Sequence, residues 1–102
     1  MTEILEPQDC TTMAEVRAGV DDTDRKIIAL LARRFGYMDA AARIKPERSA
    51  VRDERRKAEV LDKIRGIARG HGLDPELLAR LYDQLIEACI AYELQEFDRL
   101  RA

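Results

Sequence analysis

The sequence predicts an all-α chain of three helices, the first very long, that pairs with a second copy of itself. Three observations predict this. Apolar residues recur at every third or fourth position from Met13 to Ile44, the period of a helix face. The chain is 46% hydrophobic and 37% charged, with five glycines and few aromatics, a balance that suits helices with charged outer faces. No segment alternates with period two over the length of a strand, so no β structure is expected.

The first helix organises the rest. Its seam reads Met13, Val16, Val20, Thr23, Ile27, Leu30, Arg34, Tyr37, Ala41, Ile44, with only Thr23 and Arg34 polar. Thr12 and Glu15 have the spacing of a capping box, which starts the helix there. Pro46 disfavours helical geometry in the residue before it, so the helix ends at Lys45. Gly19 and Gly36 weaken it locally without breaking it. A helix from Thr12 to Lys45 is roughly 50 Å long, whereas a domain of this length has a radius of gyration of about 13 Å. One chain cannot cover such a seam, which implies a homodimer.

The remaining elements follow in order. Residues 1–10 are polar, contain Pro7, and are expected to form a flexible arm, with 11–102 as one helical domain. Pro46 to Ala50 is a polar connector. Val51 to Arg69 reads as the second helix, with Val60 or Leu61, Ile64, Ile67 and Ala68 as its apolar stripe. Gly70-His71-Gly72 stops it, glycine suiting a left-handed cap. Asp74 as N-cap and Pro75 at the first helical position start the third helix. It runs to about Leu100, with an inner stripe of Leu78, Leu81, Tyr82, Leu85, Ile86, Cys89, Tyr92 and Phe97.

Composition excludes several function classes. The 18 basic and 20 acidic residues are interspersed, for a net charge of −2, which argues against a nucleic-acid footprint. Cys10 and Cys89 fit no metal spacing and need not pair. Glu3 and Glu6, with no basic cluster and no long apolar run, argue against a signal peptide or membrane span. A soluble cytoplasmic protein is expected. No nucleophile–base pattern, phosphate-binding glycine loop or metal constellation is present, and His71, in a glycine-flanked turn, is assigned no role.

The candidate site residues are charged groups on apolar faces. Arg34 and Lys45 are eleven residues apart, nearly on one face and about 16 Å apart along an ideal helix. Met38 and Ala41 lie between them. Two cations flanking an apolar floor suit a small dianion. Lys45 alone could simply complement the helix C-terminus, but a guanidinium on an apolar seam needs an anion. Arg17 precedes Arg34 by seventeen residues, about 25 Å and roughly 100° around the helix. It could serve such a site only in the partner chain, or it could pair with Asp21 on the surface. Asp21, Asp22 and Asp24 could also pair with Arg25 at helical spacing. Arg52, Asp53, Arg55, Arg56 and Lys57 open the second helix as a largely solvated run, from which one arginine could turn toward a ligand. Glu93 continues the apolar line of Tyr82, Ile86 and Cys89, so it is expected to be partly buried, in a site or in a salt bridge to an arginine.

With these residues in place, the chain resembles the all-helical chorismate mutase family, which includes isochorismate-pyruvate lyase. The resemblance runs from Cys10 to about Leu100. It is carried by AEVRAGVDDTDRKIIALLARRFGYMDAAARIK, VRDERRK and GLDPELLARLYDQLIEACIAYE. It implies an intertwined homodimer of three-helix chains with two shared sites for chorismate or isochorismate and no cofactor. By motif position, Arg17 of the other chain and Arg34 would bind the two carboxylates. Lys45 and Glu93 would face the ether oxygen, Asp53 the ring hydroxyl, and Arg56 the carboxylates again. Lys57 stands where the typical mutase has glutamate, and Cys89 where some members have serine. DCTTMAEVR leans toward the lyases and VRDERR toward the mutases.

The first reading is a chorismate mutase, turning chorismate into prephenate by a Claisen rearrangement within aromatic amino acid biosynthesis. The second is isochorismate-pyruvate lyase, making salicylate and pyruvate in the same pocket. The third is a non-catalytic helical dimer whose seam charges fix register. Two like charges facing one cavity, Arg34 and Lys45, argue against the third.

Overall fold

The computed structural model describes residues 2–102. Three α-helices carry the fold: α1 over Met13–Ile44, α2 over Glu54–Gly70 and α3 over Pro75–Leu100. Two 3-10 turns, Pro7–Asp9 and Arg48–Ala50, precede α1 and α2. No strand occurs among the described residues, so the chain is all-α, as expected. The chain divides into two compact units, one ending at Gly36 and one running from Tyr37 to Ala102.

In the first unit, α1 starts as its sequence directs. The Thr12 N–H donates to Glu15 Oε1 at 3.0 Å, and the Glu15 N–H donates to Thr12 Oγ1 at 3.2 Å. This reciprocal box satisfies donors that the first turn leaves without helical partners. The donors around Glu15, led by the Thr11 backbone N–H, hold its carboxyl below the usual range. Residues 4–10 lie along the start of α1 and enclose with it a hollow of about 450 Å³ lined by Ile4, Pro7, Val16 and Val20. The seam beyond is uncovered: Ile27 is 47% exposed and Leu30 66%.

The second unit contains the core. Ala42, near the end of α1, packs with Val51 and Phe97, against which Ile90 and Leu94 rest. The second helix begins three residues later than the sequence pattern suggests. Val51 turns inward as a core residue at 4% exposure, and Asp53 adopts an extended conformation as N-cap, accepting from the Arg56 N–H at 3.0 Å. A side-chain cap at Asp53 requires non-helical backbone there, so α2 starts at Glu54.

The α2–α3 turn is a Schellman motif. The Leu73 N–H donates to the Ala68 carbonyl at 2.9 Å and the Gly72 N–H to the Arg69 carbonyl at 3.1 Å. Gly72 sits at φ 72°, where a Cβ would be strained. Asp74 then caps α3 by accepting from the Glu76 and Leu77 N–H groups. Ion pairs show that the two helices run antiparallel. Arg65, late in α2, meets Glu76 at the start of α3 at 2.9 Å, while Arg52 and Lys57 meet Glu87 further along. Ala68, Ala79, Ile86 and Cys89 are buried, but Ile67 and Leu81 are exposed. Periodicity placed both on the inner stripes, but in the single chain they face outward, because burial needs a facing neighbour as well as the right period.

Glu87 is the hub of the α2–α3 charges. Arg52 Nη2 donates to it at 2.7 Å and Lys57 Nζ at 2.9 Å, and Lys57 also reaches Asp83 at 2.8 Å. Arg52 first, then Lys57, holds the Glu87 carboxyl down at about 2 from an ordinary 4.5. A depressed carboxyl stabilises the fold above its unfolded value, and that contribution disappears as pH falls toward its folded value. The Glu87→Gln variant should therefore melt a few degrees below the parent at neutral pH. The gap should close progressively between pH 4.5 and about 2, and thermal melts at stepped pH in low salt check this. A gap that stays constant across that range would show that Glu87 is not the titrating group.

Candidate active site

The site begins with a cation at a helix end and a carboxylate inside a helix face. Lys45 directly follows α1, its N–H still bonded to the Ala41 carbonyl at 2.9 Å. Pro46 prevents the helix from continuing. Glu93 lies on α3 between Cys89 and Phe97, each four residues away on the same face, at 2% and 6% exposure. That register carries Glu93 inside with them, and it is 3% exposed. A carboxylate buried this far needs a cation and hydrogen bonds. Lys45 supplies both: its Nζ donates to Glu93 Oε2 at 2.7 Å.

The partner of Glu93 is thus a lysine rather than one of the arginines. An ammonium group has three donors. Glu93 takes one, and the Lys45 side chain is 29% exposed, so the remaining donors can reach an oxygen of a bound molecule. The arrangement offers an accessible ammonium held in place by a buried carboxylate. Such a pair suits stabilisation of negative charge growing on a single oxygen.

The other candidates are disposed as follows. Asp53 uses Oδ1 to cap α2. The Arg56 guanidinium turns to Glu59 at 3.7 Å and is 58% exposed. Arg52 and Lys57 are directed to α3, as described above, and Arg55 pairs with Glu59. None of these four cations lies in an ion pair with Glu93 or Asp53. In the first unit, Arg34 is half-buried and Arg17 exposed. Arg17 makes no ion pair with Asp21 among the described residues. Asp22 instead pairs with Arg25 at 3.7 Å and Lys26 at 3.0 Å. Among the described residues no cluster of His, Cys, Asp and Glu is placed to hold a metal ion, and no helix is long and apolar enough to cross a membrane.

Two features had no counterpart in the sequence reading. Tyr92 donates its hydroxyl to Asp39, and Arg101 donates to backbone carbonyls at the end of α1. The first is a pair separated by more than half the chain, which helical spacing cannot reveal. The second has main-chain acceptors, which leave no trace in residue types. The Lys57 contacts were also missed; the only signal for them was the acidic pair Asp83 and Glu87 at helical spacing on α3.

The chain is thus an all-helical protein in which the lysine just after a long first helix meets a buried glutamate of the third. The chain belongs to the chorismate mutase type II family, whose pattern it matches over residues 16–94. It is 33% identical over 95 residues to the isochorismate pyruvate lyase of Pseudomonas aeruginosa, covering 93% of this chain and 94% of that protein. It is 30% identical over 76 residues to the chorismate mutase of Methanocaldococcus jannaschii, covering 74% and 77%. The matched region contains Arg17, Arg34, Lys45, Asp53, Arg56 and Glu93.

Proposed function

We propose that this protein is a chorismate mutase, acting in the cytoplasm as a homodimer with two shared sites. The observation that carries the proposal is the Lys45–Glu93 pair, 2.7 Å apart, within a chain of the chorismate mutase type II family. In the Claisen rearrangement the ether C–O bond breaks while a C–C bond forms, and no atom is gained or lost. Negative charge grows on the ether oxygen, so a donor from Lys45, held in place by Glu93, lowers the barrier. Arg34 and Arg56 of one chain and Arg17 of the other hold the two carboxylates, Asp53 meets the ring hydroxyl, and the enolpyruvyl arm is kept over the ring. No group in this scheme forms a covalent bond to substrate.

The exposed seam of α1 supports the dimer. Ile27 is 47% exposed, Tyr37 58% and Ile44 70% in the single chain. A contiguous apolar strip of this kind marks an interaction surface. The second reading, isochorismate-pyruvate lyase, is favoured by the Pseudomonas aeruginosa relative, which covers 93% of the chain.

Three measurements test the scheme. Chorismate and isochorismate are offered separately to the purified protein. Prephenate from chorismate is the expected product. Salicylate and pyruvate from isochorismate at the faster rate would put the lyase reading first, and turnover of neither would remove both.

The second measurement concerns Glu93. A carboxylate at this position repels an oxygen that gains negative charge, whereas a neutral donor in its place would assist it. Glu93→Gln supplies a donor of the same size at every pH. It should match or exceed the parent's mutase rate at neutral pH; a large loss of rate would show that the carboxylate itself is required.

The third concerns the shared site. Arg17→Ala and Arg34→Ala, each inactive alone, are unfolded and refolded together. A heterodimer then contains one intact site, and random pairing should restore about a quarter of the parental activity. Verified heterodimers without activity would exclude a contribution from Arg17 in trans.

A further inference from the structure

Lys45 is held at both ends by the α3 segment of its own chain, and only one of these anchors belongs to the reacting groups. Its ammonium meets Glu93. Its backbone carbonyl accepts from Arg101 Nη2 at 2.8 Å. Arg101 lies just beyond the end of α3, its N–H closing on the Asp98 carbonyl. Nη1 of the same guanidinium donates to the carbonyls of Ala42 at 3.0 Å and Phe97 at 3.3 Å. The guanidinium carbon stands 3.6 Å above the centre of the Phe97 ring.

The last four carbonyls of a helix have no intrahelical partner, and the negative end of the helix dipole favours a cation there. At the end of α1 a single planar fork satisfies two of these positions, the carbonyls of Ala42 and Lys45, together with that of Phe97 in the last turn of α3. Guanidinium geometry is required for this, since one ammonium cannot span carbonyls on two elements and also lie flat on a ring. Ala42 and Phe97, which the fork joins, are themselves core residues at 0% and 6% exposure. The two anchors therefore fix both the backbone and the tip of Lys45 against one helix, while Lys45 is followed at once by Pro46 and the connector.

We propose that Arg101 is a positioning residue for Lys45: by clamping the end of α1 to Phe97, it sets the ammonium in register with Glu93 for reaction. Arg101 takes no part in binding substrate. Its effect on rate passes through Lys45, because a displacement of about 1 Å in a catalytic donor can lower a rate by roughly two orders of magnitude. This inference rests on the role given to Lys45 above.

The experiment compares Arg101→Met, which keeps an apolar stem over Phe97 but no donors, and Arg101→Lys, which keeps the charge without the fork. Each is made in the parent and in a Lys45→Ala background. Mutase kinetics are measured together with amide hydrogen exchange over residues 41–45. Arg101→Met should lower kcat roughly 10- to 100-fold with KM changed less than about threefold, and Arg101→Lys should recover only part of the loss. In the Lys45→Ala background the same substitution should change kcat by less than about twofold, because coupled residues are non-additive. Exchange at the end of α1 should accelerate in Arg101→Met while that of α2 does not.

An equal fold-loss in both backgrounds would overturn the proposal, since Arg101 would then act independently of Lys45. Unchanged exchange over residues 41–45 would overturn it too, whatever the kinetics. Full loss in Lys45→Ala with parental rates in Arg101→Met would remove only the role of Arg101. Parental activity in Lys45→Ala would remove the role of Lys45 itself, and the exchange measurement would still decide whether the clamp exists.

Discussion

A carboxylate at 3% exposure on the inner face of α3 constrains everything around it. Glu93 cannot remain charged there without a cation, and Lys45 is the cation that meets it. This requirement fixes where α1 must end, because the lysine has to emerge from the helix at the height of Glu93. It also explains why the core beside the pair is built from small or flat groups. Ala42 brings the backbone of α1 close to α3, Cys89 fills a narrow space one turn before Glu93, and Phe97 closes the other side. Larger residues at Ala42 would push the two helices apart and lengthen the ion pair. Lys45 compensates the buried charge, and in the proposed scheme the remaining donors of its ammonium serve the substrate.

The second constraint acts between chains. Residues of α1 whose spacing makes them a seam are largely uncovered in the single chain, and so are Ile67, Leu77 and Leu81 on the other helices. Few of the residues that do become buried are large. The single chain therefore has a thin core for its length, and small cores need additional support. A second copy placed against the seam would provide that support and, in the proposed scheme, deliver Arg17 as well. Stability and site assembly would then depend on the same association.

Local features were the most readable in the sequence. The Thr12–Glu15 box, the Schellman turn at Gly72 and the Asp74–Pro75 start each depend on residues within a few positions of one another, so residue types and spacing suffice. The start of α2 was less so. Helical spacing through Val51 and Arg52 competes there with Asp53 as a cap, and core packing of Val51 decides the outcome. Glu93 was visible as a charge on an apolar line, but apolar patterning says that a cation is needed and not which one; only the family resemblance set Lys45 beside it. The Arg52, Lys57 and Glu87 network became apparent only when α2 and α3 were set side by side. Main-chain acceptors, as used by Arg101, are common to every residue and leave nothing to read.

The contact between Tyr92 and Asp39 has a practical side. It joins α3 to the part of α1 that leads to Lys45, and the carboxylate of Asp39, aided by burial, pushes the Tyr92 hydroxyl up to about 12. The chain contains three tyrosines and no tryptophan, so its near-ultraviolet absorption comes almost entirely from phenol rings. One of those rings is a built-in optical gauge: its alkaline ionisation reports whether the end of α1 is seated on α3, without any label added to the protein.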